Sequence, residues 1–452
     1  MLNRITRRFG ARGAILAVGV LLSACSVDKV LQVPDPDVAL PSELKGKAAL
    51  PTILATAIGD FQVAFAGTGT GPEGLVNMTG LFTDEFSFTE TFPTRVQVDR
   101  RAIDQNNSTM STIFFDVERA RQSSFRAESA YKALAPADTG YSEALSLEGY
   151  SFLMLAESYC SGVPITKLDA AGNVIPGVPL TTQQLLDSAL NRFTIALSVA
   201  KTTGNSRLTD LARVGTARAL IFQSNANLAA AADTVAAVSP DFEYIVFSSS
   251  NTGRQNNGVF ELQWLEGRWT QANNEGKNGL PFRSANDPRT PFLDLGLGFD
   301  NQREVFGTLK YASRDASTVL ASYTEAQLII AEAQLAAGNY AGVGGTLGIL
   351  NTLRSDAGIA ALAPAATSQD QLLQLFSERA FWLYLTEHRL GDLRRLSRAA
   401  PAGYGLNSES VFPTGTYTGR GGGIYGPDVN FPIPLDEILS NPNSHGCIDR
   451  NP

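Results

Sequence analysis

Residues 323–358 read YTEAQLIIAEAQLAAGNYAGVGGTLGILNTLRSDAG, and after an Ala/Pro-rich link residues 371–396 read QLLQLFSERAFWLYLTEHRLGDLRRL. The first run is Ala-rich, with Leu328, Ala331, Leu335 and Ala336 at helical spacing, and it stops at Gly338-Asn339, residue types that accept the left-handed conformation of a helix end. A second helix is predicted to start at once from Tyr340. Its Leu347, Leu350 and Leu353 share a side, while Ala341, Gly342, Gly344 and Gly345 are small enough to let the two backbones approach. A third helix is predicted from Gln369, with Leu372, Phe376, Ala380 and Leu383 as its core stripe.

The same Ala-rich hairpin pattern occurs earlier, in residues 216–238, where Asn225-Ala226-Asn227 interrupts two helical runs. One such hairpin cannot bury its own apolar face, so repetition predicts a mainly α, tetratricopeptide-like stack. Helical stretches are expected from Ser42 to about Phe65, over 103–134, 141–159, 181–201 and 208–238. Thr181-Thr182 before Gln183-Gln184 and Asn205-Ser206 before the Leu208 run supply start signals. Residues 239–317 change texture: Asn, Gly and Ser rise, and strand-like runs stand at 244–247 and 259–263. The expected organisation is therefore helical repeats over about 42–238 and 318–398, an irregular insertion over about 239–317 and a tail over 399–452.

Glu378-Arg379, His388-Arg389, Asp392-Leu393-Arg394-Arg395 and Phe431-Pro432-Ile433-Pro434 resemble the E-R, h-R, D-L-R-R and F-P-I-P signatures of the SusD/RagB family. Asp287-Pro288-Arg289 and Lys310-Tyr311 are similar to further family elements. The family consists of surface lipoproteins that sit over SusC-type TonB-dependent transporters and help to capture nutrients such as glycans. The resemblance implies noncovalent binding of an oligosaccharide or other nutrient, a SusC-like transporter as partner, and no cofactor. Trp382, Thr386 and Leu390-Gly391 depart from the family pattern, so no substrate is transferred.

The N-terminus has an Arg-rich head, an apolar run over 14–22 too short to span a bilayer, and then Leu22-Ser23-Ala24-Cys25. This resembles a lipoprotein signal, with residues 1–24 removed, Cys25 acylated and residues 25–41 forming a Pro/Asp-rich tether. Ser26 after the Cys implies the outer membrane. Removing the signal's four arginines takes the formal charge from −8 to −12 (−8 less 4). An acidic chain without basic runs is a poor nucleic-acid binder. With Cys25 acylated, Cys160 and Cys447 remain, and an oxidising compartment makes a disulfide between them the expectation, two separately buried thiols being the alternative.

Only two histidines are present, His388 and His445, and no zinc-type spacing exists, which argues against a transition-metal site. His388 lies in the signature helix, where a structural role is expected. Leu383, Glu387 and Leu390 are spaced by four and three, which places the Glu387 carboxylate against the core with Arg394 or Arg354 as partner. Asp392, Arg394 and Arg395 are expected to lock the last helix to the tail. Acid pairs suited to glycoside cleavage cannot be located from sequence, so a surface glycosidase stays a rival reading, beside an adaptor that binds proteins.

Ligand contact is expected from aromatics in the irregular segments. Trp264 and Trp269 stand among Arg268 and Asn273, and a ring face stacks on the C–H face of a sugar while neighbouring polar groups bond its hydroxyls. Packing under the insertion is the competing reading for both tryptophans. Phe82, Phe86, Phe88 and Phe92 are either a second such surface or core.

Overall fold

A computed structural model describes residues 46–169 and 173–452. The signal, Cys25 and the tether lie outside the described residues. The principal helices are α1 (Leu50–Ala66), α2 (Ser108–Leu134), α3 (Thr139–Ser158), α4 (Thr182–Thr202), α5 (Ser206–Gln223), α6 (Leu228–Val235), α7 (Tyr323–Ala336), α8 (Thr346–Asp356), α9 (Ser368–Trp382) and α10 (Arg389–Ser397). Each of α1 to α8 packs on the next, and α6 meets α7 although the whole insertion separates them in sequence. The fold is a mainly α, tetratricopeptide-like array.

Local chemistry sets the helix starts. Thr181 and Gln184 form a reciprocal capping box on α4, and Asn205 accepts from Leu208 N at 3.0 Å to open α5. Close helix approach comes from glycine: a Cβ at Gly149 of α3 or Gly215 of α5 would meet the ring of Phe193 of α4 at 2.8 and 2.5 Å. That ring is therefore clamped between two helix backbones, with Tyr150 edge-on at 5.0 Å.

Two expectations change. Tyr340 does not begin a helix; α8 starts at Thr346, and the small residues before it form a loop in which Gly342 takes φ 98°. The run 259–263 is a helical turn, not a strand, because Asn257 caps it by accepting from Phe260 N at 3.1 Å. Phe260 and Trp264, four apart, consequently stack at 6.2 Å as helical neighbours.

Strands are short: β1 (Phe86–Phe88), β2 (Glu243–Val246), β3 (Trp269–Gln271), β4 (Phe292–Leu297), β5 (Glu304–Thr308) and β6 (Thr318–Ser322). They form the antiparallel pairs β1 with β3, β2 with β6 and β4 with β5. The last pair closes the insertion into a hairpin.

The signature residues Glu378, Arg379, His388, Arg389, Asp392, Arg394 and Arg395 are all buried. Arg379 binds Asp392 through two hydrogen bonds of 2.8 and 2.9 Å, and Arg389 binds Asp84 the same way at 2.6 and 2.8 Å. Arg395 pairs with Glu332 of α7. Glu378 takes Arg289 and Arg354, each at 2.6 Å. Arg394 donates to the carbonyls of Ala156, Glu157 and Tyr159, the orphan acceptors at the end of α3.

Glu387 is buried, but its partner is Arg218 of α5 at 2.7 Å, neither Arg394 nor Arg354. The reason is a break between α9 and α10, where Leu385 and Glu387 take φ 52° and 69° and helical spacing no longer applies. His388 Nε2 lies 3.1 Å from Glu325 and 3.0 Å from Arg218, a packed structural position.

The tail crosses the end of α3. Phe431 N donates to Ser158 O at 2.8 Å, Cys160 N donates to Phe431 O at 2.9 Å, and the Phe431 ring meets Phe82 and Tyr159 at 5.2 and 5.5 Å. Beside it Cys160 and Cys447 are joined in a disulfide, Cα–Cα 5.7 Å, spanning 287 positions. Closing so long a loop lowers the entropy of the unfolded chain by the equivalent of at most about 5 kcal/mol. The double substitution Cys160→Ala/Cys447→Ser should therefore lower the urea midpoint clearly while leaving far-UV circular dichroism unchanged. An unaltered midpoint would show that the bridge adds nothing to stability.

A second prediction concerns Asp99. Burial pushes its carboxyl up to about 8, with nearby Glu275 adding to the rise and hydrogen bonds from Tyr417 and Phe88 N opposing it. The unfolded value is about 4, so the folded protein holds the proton more tightly. This contribution is complete at acid pH below the unfolded value and is lost as pH rises through the folded one. Asp99→Asn should flatten the fall in urea midpoint between pH 6 and 9; a fall as steep as that of the parent would refute the assignment.

Candidate functional site

The β1–β3 pair organises the surface where the insertion meets the segment after α1. Phe88 stands directly opposite Trp269 in the register, and the rings of Phe86 and Phe88 both meet the indole edge-on at 5.9 Å. Trp269 is fully buried. It fastens β3 to β1 and has no face to offer a ligand, which corrects the expectation from sequence. Side chains alternate along a strand, and this one falls on the core side opposite Phe88.

Three loops converge just beyond. Thr89 N donates to Arg268 O at 2.9 Å, Phe299 N donates to Gly267 O at 2.8 Å, and Asp300 N donates to Thr89 O at 3.2 Å. Gly298 is required at this crossing, because a Cβ there would stand 2.8 Å from Gly267 O. The loops present Phe92 and Phe299 with 48% and 51% of their surface exposed. Arg268 lies between the rings, its Cζ 4.9 Å from the Phe299 centroid and 5.7 Å from that of Phe92, and Arg95 covers Phe92 at 4.7 Å.

Carboxylates hold both guanidiniums. Arg95 pairs with Glu73 and, at 3.4 Å, with Glu90. Arg268 pairs with Glu90 at 2.8 Å and Glu266 at 2.5 Å. Burial pushes Glu73 above the ordinary carboxylate range, with the hydrogen bond from Arg95 opposing the rise. The result is a fixed pair of ring faces with hydrogen-bonding groups set between them, suited to a ligand that is apolar on one face and polyhydroxylated at its rim.

Of the four residues singled out in the sequence, only Arg268 stands on this surface. Trp264 is half-buried under the β4–β5 hairpin and donates to Thr308 O at 3.1 Å. Asn273 caps a loop, its Oδ1 accepting from Ser284 N and Oγ at 2.9 and 3.0 Å. Phe82, Phe86 and Phe88 are core, leaving Phe92 alone of that group at the surface. Phe299 was missed, although its setting in Gly298-Phe299-Asp300-Asn301 is a turn signal that carries a ring outward.

A separate cleft of about 620 Å³ opens beside α2, α3 and α4, with Phe125, Phe152, Ile165 and Leu180 among its apolar lining. Its charged wall is Arg192, which bonds Glu148 at 2.6 Å and reaches Glu128 at 3.8 Å. Burial pushes Glu148 up to about 7 against the pull of Arg192. Among the described residues, no group of three or more His, Cys, Asp or Glu side chains is placed to hold a metal ion.

Residues 242–445 match the SusD family profile. No curated protein matches the sequence. Solved structures with this fold include a SusD superfamily protein from Parabacteroides distasonis (TM-score 0.66, 14% identity, 91% of this chain and 100% of that one). Surface glycan-binding protein A from Bacteroides uniformis aligns with TM-score 0.59 and 14% identity over 88% of this chain and 99% of that one. A laminarin-binding SusD-like protein aligns with TM-score 0.60 and 14% identity over 89% and 99%. The SusD family profile is thus matched through the insertion, the last helices and most of the tail, and the solved SusD-like structures share the fold along the described chain.

Proposed function

We propose that this protein is a lipid-anchored outer-membrane protein facing the cell exterior, which binds a glycan on the Phe92–Arg268–Phe299 surface and delivers it to a SusC-like TonB-dependent transporter. The observation that carries the binding reading is the pair of half-exposed rings with a carboxylate-held guanidinium between them. Fixed rings lose little freedom when a sugar stacks on them, so the contact energy is realised as affinity. The relatives named for glycan and laminarin binding support the ligand class. The anchor rests on the lipobox-like Leu22-Ser23-Ala24-Cys25, and delivery rests on the match of residues 242–445 to the SusD family model. No cofactor and no turnover are assigned; Glu148 in the cleft and Glu128, both within reach of Arg192, are read as structural acids.

Affinity electrophoresis in gels containing laminarin or another neutral glycan tests the surface. Phe92→Ala and Phe299→Ala should each weaken binding by about tenfold, roughly the worth of one stacked ring. Loss of binding in Phe125→Ala, with both ring variants unaffected, would move the site to the cleft. Silence of the parent protein toward a broad glycan panel, together with capture of a protein partner, would favour the adaptor reading. The anchor is tested separately: metabolic palmitate labelling should disappear in Cys25→Ser, and persistent labelling would refute acylation at that residue.

A further inference from the structure

Resting on the glycan reading of this surface, we infer that it selects uncharged glycans over those that carry carboxylates or sulfates. The charged side chains between and beneath the rings alternate in sign: Glu73, Arg95, Glu90, Arg268, Glu266. Three carboxylates face two guanidiniums, so the cluster carries one negative charge in formal terms. The neighbouring charges Asp300 and Arg303 offset each other at 3.9 Å.

Recognition of an anion needs a guanidinium with its fork of N–H groups open to the ligand. Neither arginine offers a fork clear of carboxylates: on Arg268, Nη1 meets Glu90 and Nε meets Glu266, which leaves Nη2 for a single hydrogen bond. Arg95 is bound by Glu73 and Glu90, and Arg268 by Glu90 on one side and Glu266 on the other. A uronate or sulfate arriving between the rings would either displace a carboxylate from Arg268, leaving buried Glu90 with only its 3.4 Å contact to Arg95, or lie beside Glu266 and be repelled at close range.

A hydroxyl fits the same place without conflict. It both donates and accepts, so it can give its hydrogen to Glu266, 38% of whose side chain is exposed, and take one from Arg268. A carboxylate or sulfate only accepts, and the accessible groups at the rim include an acceptor it cannot satisfy. The exposed part of the Phe92 ring, whose centroid lies 4.7 Å from Arg95 and 5.7 Å from Arg268, adds an apolar contact that depends on the sugar's C–H surface rather than its charge.

Affinity electrophoresis of the full chain against laminarin, pullulan and galactan on one side, and polygalacturonate, alginate and chondroitin sulfate on the other, tests the inference. The expected result is retardation by at least one neutral polymer and binding of the anionic ones weaker by about tenfold or more. Glu266→Gln should narrow that gap by raising anionic binding, and added salt should narrow it in the parent by screening the repulsion. Anionic polymers bound as well as or better than neutral ones, in a manner lost in Phe299→Ala, would overturn the selectivity and leave the glycan reading standing. Silence toward both kinds would overturn the glycan reading itself, and the selectivity with it.

Discussion

The structure depends on one constraint: charged groups that leave water must meet opposite charges or backbone dipoles. It is sharpest in α10, where Arg389, Asp392, Arg394 and Arg395 are all buried within a nine-residue helix. An unpaired buried ion costs several kcal/mol, so each of these side chains dictates what lies beside it. Arg389 needs Asp84, Asp392 needs Arg379 of α9, Arg394 needs the carbonyl end of α3, and Arg395 needs Glu332 of α7. One short helix thereby fixes the positions of segments drawn from three distant parts of the chain. Apolar packing alone would tolerate many registers; these pairings tolerate few.

The constraint reaches the proposed ligand surface through the break between α9 and α10. Leu385 N donates to Glu85 Oε1 at 2.7 Å, and Tyr384 OH donates to Glu85 O at 3.0 Å. The same carbonyl accepts from Ala272 N at 3.0 Å, just beyond β3. Burial pushes the Glu85 carboxyl up to about 8, with the hydrogen bond from Leu385 N working the other way. From the opposite side Lys310 Nζ donates to Tyr384 O at 2.5 Å and Tyr311 OH to Leu385 O at 2.8 Å. The left-handed residues at the break are thus held on both flanks, and β1 is seated against a rigid support. Phe92, Arg268 and Phe299 are carried on loops that leave this support within a few residues.

What the sequence disclosed follows from which interactions are local. Thr181 with Gln184 and Asn205 with Leu208 act within one helical turn, so the starts of α4 and α5 were legible, as was the interruption at Asn225–Asn227. Asp392, Arg394 and Arg395 were expected to lock the last helix to the tail; they do act in locking contacts, but with Arg379, the end of α3 and Glu332. Such partners were not legible. Glu387 meets Arg218 only because the chain turns through positive φ just before α10, and no spacing rule contains that turn. Trp269 illustrates the same limit: an indole among Arg, Gln and Asn reads as a binding surface until β1 supplies two phenylalanine rings from a distant part of the chain.

Identity of 14% alongside a shared architecture has a physical explanation in this chain. The array is held by helix caps, by Phe193 clamped between Gly149 and Gly215, and by the buried ion pairs of α10, none of which contacts the exposed rings. The loops that form the proposed ligand surface are joined to one another largely through backbone hydrogen bonds, Thr89 to Arg268, Phe299 to Gly267 and Asp300 to Thr89. Backbone bonds place no demand on side-chain identity. The surface can therefore exchange rings and charges while the scaffold and even the loop paths stay as they are. For this reason the architecture carries no information about which glycan would bind, and on the proposed surface that choice falls to the side chains Phe92, Arg268, Phe299 and Glu266.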